Sequence, residues 1–531
     1  MASGSPKVAA ILKHIGLLEL VFLGTATWAA YRLLRALYNI SPLHPLSKVP
    51  GPKLAAATYL PEFWHDVVKG GRYTHRIREM HEQYGPIVRI NPDETHCSDP
   101  AFIDDIYPAG GKRRDKPQHQ VRALGAWSSN IFGCADHDTH RIRRGAVARF
   151  FSRSMVSQLE GDIRGLIGRL CDKLLAEQGR GRPIDVTMAY SCLASDIISD
   201  YCFGEPFGLL AQKEWTPNFR EAGTAVVRPA YYFRFFPFLS HLVALGTWFV
   251  DYLPEDMALF IRTLEIEIPA LIANTKAEMN EGVVSSRARP TVFMELMQSD
   301  LPAHEKTPDR LKSEAFSLLG AATETTSWGL GTITYYLLAQ PETMARLRAE
   351  LEAVVEDPRQ LPPLTTLERL PYLGAVIQEG LRLSYGVSSR TARIAVNEDL
   401  VYRGEFNKKA IELVLPRGYP VGMSPVITHH DETIFPDSYS FVPERWLDQR
   451  GRRDLDRAFM SFSKGSRVCL GMNLAMCELH LTLAAMTLRV FPHLRLFETT
   501  ERDVRYDHDT LSPNPVRESK GIRVTVEVGR C

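Results

Sequence analysis

The chain has 531 residues, a formal net charge of +1 and 45% hydrophobic residues. That excludes bulk electrostatic attraction to nucleic acid and leaves ample apolar material for a large core. The eight cysteines are scattered without a CxxC pair, which fits a reduced compartment better than a disulfide framework. With no repeat or low-complexity block, the pattern predicts one large domain and an N-terminal appendage.

In the appendage, Ile15 to Ala30 is apolar apart from Glu19, and the apolar character continues past Arg32 and Arg35 to Leu37. About 20 such residues span a bilayer, with charges near the ends snorkelling to the headgroups. Residues 1–40 therefore read as a transmembrane anchor. A cleaved signal peptide is the rival, although its apolar region is usually shorter. Arg32 and Arg35 orient the downstream chain towards the cytosol. Pro42, Pro45, Pro50, Gly51 and Pro52 cannot continue a helix, so 41–60 reads as a proline-rich hinge and 61–531 as the main body.

In the body, Ile87–Ile90 and Glu94–Cys97 read as short strands around Asn91-Pro-Asp93. His137 to Arg144 opens a helix with a basic face, the usual fate of a solvated charge run. From Gln158 to Leu338 helical patterning dominates, broken near Phe203-Gly204, between Gly282 and Pro290, and at Pro302. The aromatic run Tyr231 to Phe238 serves either core packing or a lid that dips into a membrane interface. Overall the chain reads as mainly α with small β-sheets.

A long helix is predicted over Pro308–Ala339, with Thr307 as N-cap, proline at the first position and Pro341 beyond its end. Its middle, Ala321-Ala322-Thr323-Glu324-Thr325-Thr326, sets a carboxylate and three hydroxyls in an apolar helix, where an isolated buried acid is costly. Glu379-Gly-Leu-Arg382 places acid and base at i and i+3 on one helical face, a spacing common on solvated helices. Val387 to Ala395 leaves that helix for a strand. The last distinctive stretch is Phe462-Ser-Lys-Gly465-Ser-Arg467-Val-Cys469-Leu-Gly471, ahead of a helix-forming run to Leu488. A cysteine there faces unpaired N–H groups and the positive end of the dipole, which favours its thiolate. Glycines on either side permit tight turns and close approach of a flat ligand. The plainer reading is a buried loop cysteine.

This last stretch resembles the haem-binding loop of the cytochrome P-450 monooxygenases, matching at Phe462, Gly465, Arg467, Cys469 and Gly471. The resemblance extends in order over nearly the whole chain. It implies the cytochrome P-450 fold, behind an N-terminal transmembrane helix, and haem b (iron protoporphyrin IX) with Cys469 as axial metal ligand. It makes Glu324 and Thr325 a proton relay to dioxygen, with Ala321 and Ala322 beside them. His140 and Arg144 stand where an aromatic and an arginine meet a haem propionate, and Arg393 is a further propionate partner. Glu379, Arg382 and Arg445, the last in Phe441-Val-Pro-Glu-Arg445-Trp446, form a structural ion-pair frame. Val387, Ser388, Ala321 and Leu511, near the hairpin Thr510 to Pro513, are expected in the substrate pocket. Arg141, Arg143 and Lys464 offer a basic docking patch.

Glu379-Gly-Leu-Arg-Leu-Ser-Tyr-Gly-Val-Ser-Ser389 and His429-His-Asp-Glu432 look most like fungal enzymes of secondary metabolism, the trichodiene-oxygenase-like group. The expected activity is hydroxylation or another oxidation of an apolar small molecule, terpenoid-like or another secondary-metabolite intermediate. It would use O2 and electrons from NADPH through a separate NADPH-cytochrome P-450 reductase, at the endoplasmic reticulum membrane with the catalytic domain cytosolic. The alternatives are a haem-thiolate isomerase or dehydratase, and a non-enzymatic haem-binding membrane protein.

Overall fold

The structure, a computed structural model, describes residues 16–280, 290–448 and 450–528. It is mainly helical with small sheets, as the patterning predicts, and is organised on the helix Pro308–Ala339. The Thr307 side chain accepts from the Arg310 N–H, and Pro308 occupies the first turn, where an N–H has no helical partner. From Thr326 to Leu337 every residue is buried, so polar side chains there need internal partners. The helix Val186–Phe203 supplies one there, pairing the Tyr190 hydroxyl with Thr334 at 2.8 Å, and another just before it, pairing Ser195 with Thr323 at 3.0 Å.

Helix Pro371–Ser384 crosses the same helix closely because Gly380 has no side chain; a Cβ there would collide with Ile333. These helices share one apolar core with Met472–Arg489. Each fully buried leucine or isoleucine in it contributes about 1.5–3 kcal/mol.

The largest sheet has the spatial order Ile87–Arg89, Thr95–Cys97, Pro420–Gly422, Arg393–Ala395, Arg114–Asp115. Only Thr95–Cys97 and Pro420–Gly422 run parallel. The two strands expected around Asn91-Pro-Asp93 are therefore present and antiparallel. The sheet's far edge sets Arg393 beside the Arg114–Asp115 strand, which leads directly into Lys116.

The N-terminal expectation is met only in part. Helix Leu17–Ile40 forms, with apolar side chains such as Leu18, Phe22 and Trp28 exposed. Yet among the described residues no helix is long and apolar enough to cross a membrane: Glu19, Arg32 and Arg35 all fall inside this one. Residues 1–15 of the expected anchor lie outside the described residues. The proline segment after this helix, expected as a stiff hinge, packs against the sheet. Leu46 and His44 are buried. The buried Arg89 side chain donates to Asn39 O (2.9 Å) and Pro92 O (2.7 Å), and its N–H donates to Pro50 O (2.7 Å).

The aromatic run divides between its two readings. Helix Ala230–Phe235 turns Tyr231, Phe233 and Arg234 inward, while Tyr232, Phe236 and Phe238 are exposed. The break at Gly204 is a left-handed helix cap with φ 91°, a conformation glycine adopts without strain. Most of the expected 282–290 break lies outside the described residues.

Candidate functional site

The cysteine loop is shaped by Gly465. Its φ is +71°, and a Cβ there would sit 2.5 Å from Tyr107 O and 2.7 Å from Pro108 O. Only glycine permits that approach. Ser466 N–H then donates to Pro108 O (3.2 Å), and Cys469 N–H to Phe462 O (2.8 Å), which closes the loop. Gly471 plays a different part from the one its position suggests. Its φ is an ordinary −85° at the N-cap of Met472–Arg489, and a Cβ there would meet nothing within 4 Å. What it provides is an unobstructed wall beside Cys469.

Cys469 is exposed to a cavity deep in the fold, lined also by Phe462, Arg467, Gly471, His140, Arg144 and Arg393. Burial pushes its thiol pKa up, against the opposing pull of the Gly471 N–H and the Arg144 charge. The expectation that a helix start favours the thiolate is thus correct in sign and outweighed by desolvation.

At this end of the cavity the charges do not balance. Lys116, Arg144, Arg393 and Arg467 all line it, and the hydrogen bonds they make go to backbone carbonyls. Arg467 donates to Cys134 O (2.6 Å) and Ala135 O (2.9 Å), Arg144 to Val468 O (2.8 Å), Arg393 to Ala392 O (3.0 Å) and Lys116 to Phe132 O (2.5 Å). Arg467 Nε is buried without a partner. Burial, with Arg393 and Arg467 beside it, drives the Lys116 pKa far down. Burial, then Arg467 and Lys116, pushes His140 down to about 3, so its ring is neutral. Arg393 and Arg467 are buried and Lys116 and Arg144 half-buried; cations desolvated without carboxylate partners are costly, and this group calls for an anionic ligand. A flat macrocycle with two carboxylates, one face towards Cys469, fits the thiol, the bare Gly471 wall and the unpaired donors together. Haem is such a group. Lys116 was not singled out in the sequence; inside the basic run Lys112 to Lys116 nothing distinguishes it from a solvated lysine.

The opposite wall comes from the long helix. Ala321, Ala322, Thr325 and Thr326 line the cavity, and the Thr325 hydroxyl donates to Ala321 O (2.8 Å). Glu324 does not line it. Its carboxylate takes an ion pair at 2.9 Å from Arg220, on helix Phe219–Val227. The expected relay pair is therefore split, with the alcohol in the cavity and the acid held outside it by Arg220. Val387 and Leu511 line the cavity as expected. Ser388 does not: its N–H (3.0 Å) and hydroxyl (3.3 Å) both donate to Leu511 O, positioning the hairpin tip in place of touching a ligand.

A model of the family described as Cytochrome P450 matches residues 55–512. The chain is a cytochrome P450. It is 42% identical over 451 residues to cytochrome P450 monooxygenase ppzE of Metarhizium majus, covering 81% of this chain and 92% of that one. It is 39% identical over 484 residues to tryptophan 6-hydroxylase fscE of Fusarium equiseti, covering 91% and 92%. With N-acetyltryptophan 6-hydroxylase ivoC of Emericella nidulans it shares 36% over 534 residues, covering 96% and 99%. A solved structure titled as a cytochrome P450, CYP102L1, matches with TM-score 0.66 and 18% identity over 85% of this chain and 94% of that one, which supports the fold alone. These relatives place the chain among fungal P450 monooxygenases, oxidoreductases whose family implies haem with a cysteine thiolate ligand.

Within this P450, Glu379, Arg382 and Arg445 meet in a buried frame away from the cavity. Arg382 donates to both Glu379 oxygens at 2.8 Å, and Arg445 Nε (3.0 Å) and Trp446 Nε1 (2.9 Å) add to them. Burial pushes the Glu379 pKa up, but these donors prevail and hold it below the usual value. Arg382 goes on to the carbonyls of His429 (3.0 Å) and Ser438 (2.6 Å), tying the frame to the chain that leads into the cysteine loop. Arg143 leaves the expected docking patch: its guanidinium is engaged by Glu305 through two 2.8 Å bonds. Arg141 remains exposed.

Proposed function

We propose that the protein is a membrane-attached haem-thiolate monooxygenase that hydroxylates an apolar secondary-metabolite intermediate. The observation that carries this is the joining in one cavity of a thiol, a cationic cluster whose hydrogen bonds go to backbone carbonyls, and a threonine hydroxyl on the facing helix.

Haem b would be held by Cys469, with Lys116, His140, Arg144, Arg393 and Arg467 as the groups available to its carboxylates, and would supply the redox chemistry that activates O2. The protein does the rest. Phe462 and Gly471 flank the thiolate, and the loop closed by Gly465 keeps Cys469 aimed inward. Thr325 offers a hydroxyl that exchanges its Ala321 O bond for one into the cavity, where it passes protons supplied through Glu324 once Arg220 lets go. Val121, Leu124, Ile131, Leu318 and Leu511 give the substrate a dry apolar wall. Electrons come from NADPH by way of a separate reductase, whose acidic face suits Arg141. The exposed apolar side chains of Leu17–Ile40 support attachment to the endoplasmic reticulum membrane with the catalytic body cytosolic.

The test is the reduced, carbon monoxide-treated protein. The wild type is expected to show the red-shifted Soret band of a thiolate-ligated haem, and C469A to lose it. A band kept by C469A would refute the assignment.

A further inference from the structure

The hairpin of strands His508–Thr510 and Ser512–Asn514 turns on one residue, Leu511, which lines the cavity. Its φ is +82°. A leucine in that region is a strained outlier, of a kind that persists only where neighbouring contacts enforce it and that clusters at ligand sites. The tip is held at its carbonyl, which takes the Ser388 N–H (3.0 Å) and hydroxyl (3.3 Å). The strand leading into it is held at Asp509.

Asp509 is 2% exposed, and among the described residues no cation reaches it. Its carboxyl meets three hydroxyls instead, those of Thr74 at 3.1 Å, Tyr506 at 2.9 Å and Tyr231. Its N–H donates to Gly71 O at 2.9 Å. Gly71 has a φ of +75°, and a Cβ there would collide with Asp509 O. Burial, then the charge of Asp66, pushes the Asp509 pKa well up, against the opposing pull of Thr74. An acid so placed is costly to bury, and packing alone would be served by an apolar side chain.

Tyr231 shows what the acid adds. It stands on helix Ala230–Phe235, and Arg234, three residues on and so on the same helical face, lines the cavity. Leu511 is two residues along the hairpin from Asp509. The Tyr231–Asp509 bond therefore sits beside two cavity-lining residues on separate elements. Among the described residues it is the one hydrogen bond that joins those elements.

Resting on the reading of this cavity as the substrate site, we infer that Asp509 is a positioning residue for substrate selection. Through Tyr231 it fixes the hairpin tip relative to helix Ala230–Phe235, and so limits the bulk of the skeleton that the cavity accepts.

The test uses the haem-loaded full chain and two azoles that coordinate haem iron, N-methylimidazole and N-adamantylimidazole, with dissociation constants read from the Soret shift. The ratio of the two constants measures tolerance of bulk and is insensitive to a general loss of haem or fold. Y231F removes the hydroxyl and keeps the ring over which the Arg234 guanidinium lies at 4.7 Å. It should improve the bulky azole relative to the small one by about tenfold, as the loss of one restraining hydrogen bond allows. L511A widens the same gap from the hairpin side and should act in the same direction. Y231F added to L511A should change the ratio no further.

A ratio unchanged in Y231F would overturn the inference. Effects of Y231F and L511A that simply add would overturn it too, because additivity marks independent sites. Absence of a Soret shift with N-methylimidazole in the wild type would instead refute the haem reading, and this inference with it.

Discussion

Arg220 holds Glu324 at 2.9 Å, and the same guanidinium lies 3.4 Å from the Ser327 hydroxyl and 5.6 Å above the Trp328 ring. The acid best placed in sequence to supply protons is thus latched to helix Phe219–Val227, one residue from a threonine that faces the cavity. If the latch opens during turnover, E324Q should lower the rate about 100-fold, the low end for a lost general acid, while R220Q keeps most of it. Equal losses in both variants would mean that the closed pair is the working arrangement. NADPH-driven product formation measures both.

Thr325 tests the other half of the relay. T325A should keep NADPH oxidation but divert it, so that hydrogen peroxide rises several-fold relative to product, while T325S, which retains a hydroxyl, stays near wild type. Unchanged coupling in T325A would remove Thr325 from the proton path.

Lys116 separates haem binding from folding. The half-buried Lys116 ammonium stands beside Arg393 and Arg467, so K116M relieves repulsion in the apo-protein and removes a propionate partner in the holo-protein. Thermal melting of the apo-protein should stay level or rise, and the haem to protein absorbance ratio should fall. A fall in both would mark Lys116 as a folding residue.

Gly465 sets a steric limit on the loop. G465A forces a side chain into left-handed backbone, costing about 1–2 kcal/mol, and drives a Cβ to 2.5 Å from Tyr107 O. The variant should lose haem incorporation even where circular dichroism reports folded protein. Normal incorporation would show that the 107–108 segment yields.

Glu379 gives a pH dependence with a definite sign. Its donors hold the folded-state pKa below the ordinary 4.5, so its stabilising contribution is complete above that value and is lost as pH falls through the folded pKa. The gap in melting temperature between wild type and E379Q should be full at neutral pH and shrink steadily below about pH 4.5. A gap independent of pH would assign the loss to geometry alone.

Local signals made much of this legible. Thr307, Pro308 and Pro341 bracket the long helix because caps and prolines act within a turn or two. The loop around Cys469 carries its own turn chemistry, and Val387 and Leu511 fell where the resemblance put them. What escaped depends on distant packing. Arg220 is 104 residues from Glu324, and nothing near either announces the pair. Ser388 has a pocket address, but the carbonyl of Leu511 takes both its donors. The prolines after the N-terminal helix show where a helix must stop; they carry no sign of the arginine that folds the segment back.

That arginine decides where the chain can be shortened. A protein beginning at residue 53 would leave Arg89 buried without Asn39 O for its side chain or Pro50 O for its N–H, two bonds of roughly 0.5–3 kcal/mol each. Starting at Tyr38 removes most of the exposed apolar helix and keeps both. The indispensable part of the enzyme therefore begins near Asn39, upstream of the prolines, and the stretch from there to Pro52 is tied to the edge strand Ile87–Arg89 through Arg89 alone.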